Sequence, residues 1–135
     1  CRSLSCQGAI IVTDSSLKIL VVDDSPTERF FIADLLGKSG YTVLTAENGD
    51  QAVKIARTEQ PGVVVMDVVM PGLSGFQVTR ALSRDPETES IPVIIVSSKD
   101  AETDRIWGLR QGAKEYMIKP IRPDDLLARV KELMH

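Results

Sequence analysis

The sequence predicts a doubly wound α/β domain, a five-stranded parallel sheet covered by five helices on its two faces. Two observations carry this. From Leu17 onward, five short apolar runs alternate with five longer amphipathic stretches, the pattern of successive βαβ units. The run "VVVMD" (Val63 to Asp67) is continuously apolar up to its last residue, as a strand buried on both faces requires. Right-handed crossovers then make a doubly wound sheet the natural solution.

The elements follow in order. "LKILVV" (Leu17 to Val22) is the first strand. "SPTE" opens the first helix as a capping box, with Ser25 as N-cap, Pro26 at the first helical position and Glu28 three residues on. That helix carries Phe30, Phe31, Ala33, Leu35 and Leu36, and stops near Gly40. "YTVLTA" (Tyr41 to Ala46) is the second strand, and Asn48 and Gln51 start a second helix that Pro61 closes. After the third strand, Val63 to Asp67, Ser74 opens a helix through Phe76, Val78, Ala81 and Leu82, ended by "DPETES". "IPVIIVSS" (Ile91 to Ser98) is the fourth strand. Asp100 starts a helix bearing Ile106, Trp107 and Leu109, with Gly112 as its C-terminal cap. "AKEYMIKP" (Ala113 to Pro120) is the fifth strand, and Pro123 opens a last helix with Leu126, Leu127, Val130 and Leu133.

The 135 residues, 43% hydrophobic and 26% charged, suit one globular domain with a real core. A net charge of -3 gives no electrostatic reason to expect nucleic acid or an anionic membrane as partner. No apolar run approaches the ~20 residues needed to cross a bilayer. Cys1 and Cys6 have no further cysteine to pair with and no histidine nearby, so neither a disulfide scaffold nor a metal site is expected. Residues 1 to 16 lack an initiating Met, and "AIIV" is too short for a signal peptide's apolar region. They read as a leader, a tag remnant or a disordered extension, with a lipid-modified Cys1 as a minor alternative; residues 17–135 read as the folded domain.

In open α/β sheets ligands bind beyond the carboxyl ends of the strands. At those ends stand Asp23 and Asp24 after strand one, Asp67 after strand three, Ser97 and Ser98 after strand four, and Lys119 with Pro120 after strand five. Three carboxylates on one rim repel unless a proton or a cation intervenes. Oxygen ligands without His or Cys favour a hard ion such as Mg²⁺. Lys119 adds one positive charge, and the Ser97 hydroxyl adds a hydrogen-bond partner. The rim is suited to an incoming anion, as phosphoryl transfer requires, with Asp67 as the nucleophile that becomes an acyl phosphate. Each residue alone has a plainer reading: a double Asp as turn chemistry, a loop lysine as solvated, Tyr116 as packing. Their placement at successive strand ends decides against coincidence.

These residues bear a resemblance. "ILVVDDSPT", "VVVMDVVMPGLSGFQ", "IPVIIVSS" and "YMIKP" make residues 18 to 134 similar to the receiver domain of bacterial two-component response regulators, of the stand-alone CheY-like kind. The resemblance implies a flavodoxin-like sheet with strand order 2-1-3-4-5. It implies that Asp67 is the phosphoacceptor, served by a sensor histidine kinase, a phosphotransfer domain or small phosphodonors. It implies that Asp23, Asp24, Asp67 and the backbone carbonyl of Val69 hold Mg²⁺, for which Mn²⁺ can substitute. Ser97 and Lys119 meet the phosphoryl group, Lys119–Pro120 is cis, and Tyr116 is the switch aromatic that follows Ser97. The fourth helix, fifth strand and fifth helix form the output face toward a downstream protein target. The domain then catalyses only its own phosphorylation and dephosphorylation, in the cytoplasm, as a monomer or weak dimer. Met70-Pro71-Gly72 makes the turn that presents the Val69 carbonyl, and Ser98 is small enough to leave the acyl phosphate open. Val69 itself is apolar where many such domains place a polar side chain near the attacking water. "SPTE", "VVMPGLSGFQ" and "SKDAETDRIWGLRQGA" are similar to PilH-like regulators of type IV pilus chemotaxis systems, which control twitching motility. No output domain is expected past the fifth helix.

Two other readings compete. A haloacid dehalogenase-type hydrolase also uses a strand-end Asp, Mg²⁺ and a lysine, but its nucleophile follows the first strand in a D-x-D motif that "DDS" does not match. A receiver that has lost phosphorylation would usually lack one acidic residue or the lysine.

Overall fold

A computed structural model describes residues 18–68, 72, 74–99 and 101–133. The expected readings of residues 1 to 16, Leu17, Val69, Met70, Pro71 and Asp100 therefore lie outside the described residues. The chain runs β1 (Lys18–Val22), α1 (Pro26–Lys38), β2 (Thr42–Ala46), α2 (Gly49–Glu59), β3 (Val63–Asp67), α3 (Gly75–Arg84), β4 (Val93–Ser97), α4 (Glu102–Arg110), β5 (Glu115–Ile118) and α5 (Pro123–Leu133). The strands form one parallel sheet in the order β2-β1-β3-β4-β5. Each element expected from the sequence is present; β3 keeps its expected bounds, and β2, β4 and β5 are tighter by one or two residues at an end.

The pleat divides the core in two. Leu20, Val22, Val64, Met66 and Ile95 point to the face covered by α2 and α3, where Ala52, Ala56, Val78 and Leu82 meet them. Ile19, Val21, Val65, Ile94 and Val96 point to the other face, covered by Ile32 and Leu36 of α1 and by Leu126 and Val130 of α5. Neighbours along a strand thus serve opposite layers, as the period of two demands. All five residues of β3 and of β4 are buried, and each fully buried large apolar side chain contributes about 1.5–3 kcal/mol.

Two helices present their aromatic residues differently from expectation. On α1 the buried residues are Ile32 and Leu36, four apart, whereas Phe30 is 71% and Phe31 51% exposed. On α4 only Gly108 is buried, and Ile106 and Trp107 face solvent. The helical period, not apolarity, selects the inward positions: Ile32 and Leu36 share one face, and Phe30 and Phe31 lie off it.

The caps place the loops that hold the site. Asn48 accepts from the Gln51 amide at 2.9 Å. Ser74 accepts from the Gln77 amide at 3.3 Å while the Gln77 side chain accepts from the Ser74 amide at 2.9 Å, a complete capping box. Gln60 ends α2 at a φ of 49°. Its side-chain amide holds that left-handed turn by donating to the carbonyls of Ala56, Arg57 and Glu87. At α1 the box is incomplete. Ser25 accepts from the Glu28 amide at 3.4 Å, but the Glu28 carboxylate turns elsewhere.

Candidate functional site

The carboxyl ends of β1, β3, β4 and β5 converge on one rim. The register sets Val22 beside Met66, Asp67 beside Val96, and Ser97 beside Ile118. Asp23, Asp67, Ser97 and Lys119 therefore emerge together, each at or one residue past the end of its strand. The neighbouring loop positions hold Asp24, which is exposed, and Ser98.

Asp23 is fixed on three sides. Its amide donates to the Ala46 carbonyl at 3.1 Å. Its Oδ1 accepts from the Ser25 amide at 2.9 Å, and its carbonyl accepts from Arg29 Nη1 at 2.8 Å. Its other oxygen, Oδ2, accepts no hydrogen bond although it is buried, the one such side-chain atom among the described residues. The nearest positive charge is Lys119 Nζ at 3.9 Å. Burial pushes the Asp23 carboxyl up to about 6, with the Ser25 amide pulling it down and the charge of Asp67 raising it further.

Asp67 is 8% exposed at the end of the central strand. Lys119 Nζ donates to its Oδ1 at 3.0 Å. Burial raises the Asp67 pKa, and the Lys119 hydrogen bond and charge oppose but do not cancel that rise. For Lys119, burial disfavours the ammonium, yet hydrogen bonds to Glu28 and Asp67 outweigh it and its pKa is raised. The peptide bond from Lys119 to Pro120 is cis, as expected.

Ser97 is buried, and its Oγ accepts from the Lys99 amide at 3.0 Å. Tyr116 donates its hydroxyl to the Lys99 carbonyl at 2.9 Å, so both residues fasten the same short loop after β4. The Tyr116 ring lies over Gly108, where a Cβ would stand 2.9 Å from its Cδ2.

Glu28 and Gly75 were not among the expected site residues. Glu28 reaches across from α1 to Lys119. Gly75 brings the start of α3 against the end of β3, its amide donating to the Val68 carbonyl at 2.9 Å. A Cβ there would stand 2.8 Å from the Val68 Cα and press on the Asp67 carbonyl. The "SG" just past the acidic strand was the available signal for Gly75; the Glu28 contact spans 91 residues and leaves no local signal.

The donor set fits a hard divalent cation. Asp23, Asp24 and Asp67 each bring a carboxylate oxygen within 4.8 Å of the others. Asp23, a member of this cluster, keeps a buried oxygen that accepts no hydrogen bond, and such a group is costly unless a cation or proton meets it. Chemically the rim combines a carboxylate cluster suited to a cation, a buried carboxylate and an ammonium beside it, which together can receive an anion.

Comparison with known proteins places the chain in a family. The response regulator receiver domain matches residues 19–131. The chain is 54% identical over 117 residues to Protein PilH of Pseudomonas aeruginosa, covering 87% of this chain and 97% of that protein. Its fold superposes on chemotaxis protein CheY4 of Vibrio cholerae with a TM-score of 0.81 at 28% identity, over 86% of this chain and 97% of that one. It also superposes on the receiver domain of a Pseudomonas aeruginosa sensor histidine kinase, at TM-score 0.81 and 27% identity, over 87% of this chain and 96% of that one. That crystal structure has a magnesium ion coordinated in its active site cleft. By its sheet order, its acidic rim and these likenesses, the chain belongs to the response regulator receiver domain family.

Proposed function

We propose that this chain is a phosphorylation-driven signalling switch in which Asp67 accepts a phosphoryl group from the phosphohistidine of a sensor histidine kinase or phosphotransfer domain. One observation carries the assignment: Lys119 Nζ sits 3.0 Å from Asp67 Oδ1 beside a buried Asp23 oxygen that accepts no hydrogen bond. A carboxylate oxygen of Asp67 attacks phosphorus, the donor's N–P bond breaks, and an acyl phosphate forms. Mg²⁺ held by Asp23, Asp24 and Asp67, with the Val69 carbonyl as a further ligand and Mn²⁺ as a substitute, would neutralise charge on the phosphoryl oxygens. Lys119 pairs with the phosphoryl group in place of the carboxylate it now meets, and the Ser97 hydroxyl donates to it.

Drawing Ser97 toward the phosphoryl group frees the Lys99 amide it now accepts from. The loop that also holds the Tyr116 hydroxyl then shifts, biasing the face formed by α4, β5 and α5 toward its active arrangement. A downstream protein reads that face. The acyl phosphate hydrolyses on the domain itself, so its catalysis is confined to its own phosphorylation and dephosphorylation. The 54% identity to Protein PilH supports a place in type IV pilus chemotaxis and twitching motility, in the cytoplasm where such kinases present phosphohistidine.

Incubation with acetyl phosphate and Mg²⁺, followed by intact mass measurement, tests the reading. Wild type gains one phosphoryl group, and chelation of Mg²⁺ or Asp67→Asn abolishes the gain. Normal labelling of Asp67→Asn would overturn Asp67 as acceptor.

A further inference from the structure

The failed capping box at α1 points to a second acidic control on Lys119. Glu28 stands at the third helical position, where a box would turn its carboxylate back to the Ser25 amide. That amide is taken instead by Asp23 Oδ1 at 2.9 Å. The Glu28 carboxylate is released to contact Lys119 Nζ. The ammonium is thus shared by Glu28, by Asp67 Oδ1 at 3.0 Å and by Asp23 Oδ2 at 3.9 Å.

These partners are not equivalent. The Asp67 side chain is 9% exposed and Glu28 48%, so Glu28 is the partner that can swing into water at least cost. An ammonium has three protons to give, and here Glu28 and Asp67 already take two. An anion arriving at Asp67 needs that ammonium. It also meets the charge of Glu28, which shares with Lys119 a groove lined by Phe31, Ile32, Ser98 and Ile121.

We propose that Glu28 is an internal competitor for Lys119, holding the ammonium in the phosphoryl-free domain and yielding it when a phosphoryl group arrives. The inference rests on the reading of Asp67 as acceptor. Glu28 is a positioning residue here: it acts through Lys119 and sets how readily the site captures its anion.

Two variants separate this contact from a plain effect of charge at a helix start. Glu28→Gln keeps the length and removes the charge. Glu28→Asp keeps a negative charge in the first turn of α1, where the helix dipole favours it, but falls one methylene short of Lys119. Affinity for beryllofluoride, an analogue of the phosphoryl group, is measured by calorimetry at saturating Mg²⁺, with Mg²⁺ affinity and melting temperature measured alongside. Glu28→Gln should bind beryllofluoride roughly three- to tenfold more tightly, the scale of losing a half-exposed ion pair and one nearby repulsion. Glu28→Asp should also bind more tightly than wild type, by less, and the variants' Mg²⁺ affinity should change less than their affinity for beryllofluoride.

Equal or weaker binding by both variants would overturn the inference. Tightening by Glu28→Gln alone, with Glu28→Asp at the wild-type value, would reduce the effect to helix-terminal charge and overturn it as well. If wild type takes up neither beryllofluoride nor phosphoryl from acetyl phosphate, the acceptor reading fails first and this inference with it.

Discussion

β3 and β5 run parallel in one sheet and deliver the two halves of an ion pair, yet they are built differently. β3 lies between β1 and β4 with all five residues buried, and it ends in Asp67. β5 is the sheet edge, its residues half-buried and Ile118 45% exposed, and Lys119 follows it. The carboxylate is therefore placed by packing. The ammonium is placed mainly by the side chains it touches, Asp67 and Glu28. A switch needs this asymmetry, because an acceptor held rigid can report its modification only through a neighbour free to move. Tyr116 sits on that same edge strand, against α4, whose only buried residue is Gly108.

Truncation should affect the two strands very unequally. Met66→Ala, at a fully buried position on β3, should cost about 2–5 kcal/mol of unfolding free energy. Ile118→Ala on β5 should cost less than about 1 kcal/mol. Urea unfolding of both variants measures the contrast, and equal costs would erase the distinction between a packed and a loose strand.

A pH series probes the packed half. In the metal-free domain Asp23 is raised to about 6 from 3.8, first by burial. The folded state then holds the proton more tightly than the unfolded chain, so this group's stabilisation is full below about pH 4 and lost as pH rises through 6. The loss should amount to about 3 kcal/mol at most, shared with the coupled Asp67. It is read as the difference between wild type and Asp23→Asn in denaturant unfolding without Mg²⁺. A wild-type curve that gains on Asp23→Asn between pH 4 and 6 would reverse the sign and contradict the buried, uncompensated carboxylate.

Removing the proposed acceptor is expected to help the metal-free fold. Asp67→Ala relieves a desolvated charge beside Asp23 and should raise stability by about 1 kcal/mol, a few degrees in melting temperature. A lower melting temperature would mean that the Lys119 pair outweighs the burial. A small effect also belongs to the edge: Tyr116→Phe removes one hydrogen bond to the Lys99 carbonyl and should cost about 0.5–1 kcal/mol. A cost above that of Met66→Ala would place Tyr116 in the rigid half.

The same division governs how much was legible in the sequence. Strands buried on both faces, such as Val63 to Asp67, announce themselves as unbroken apolar runs, and the chain's alternation implies that they run parallel, while their order 2-1-3-4-5 was implied only by the resemblance. Asp23, Asp67 and Lys119 were legible because each falls at a strand's carboxyl end, and parallel strands bring those ends together. Phe30, Phe31, Ile106 and Trp107 were harder, since apolarity marks them as candidates for burial but only the neighbouring layer decides which helical face turns inward. Glu28 was misread for a local reason. "SPTE" satisfies the capping-box rule on its own terms, and only the folded rim, with Asp23 already on the Ser25 amide, shows why the carboxylate goes to Lys119.

The central claim is that the buried carboxylate at the end of β3 carries the phosphoryl group. Borohydride reduction after acetyl phosphate and Mg²⁺ treatment converts an acyl phosphate to an alcohol that peptide mass spectrometry can locate. Reduction is expected at Asp67 and absent when Mg²⁺ is chelated. Reduction at Asp23 or Asp24 instead, or at no aspartate while the protein still gains phosphate, would contradict it.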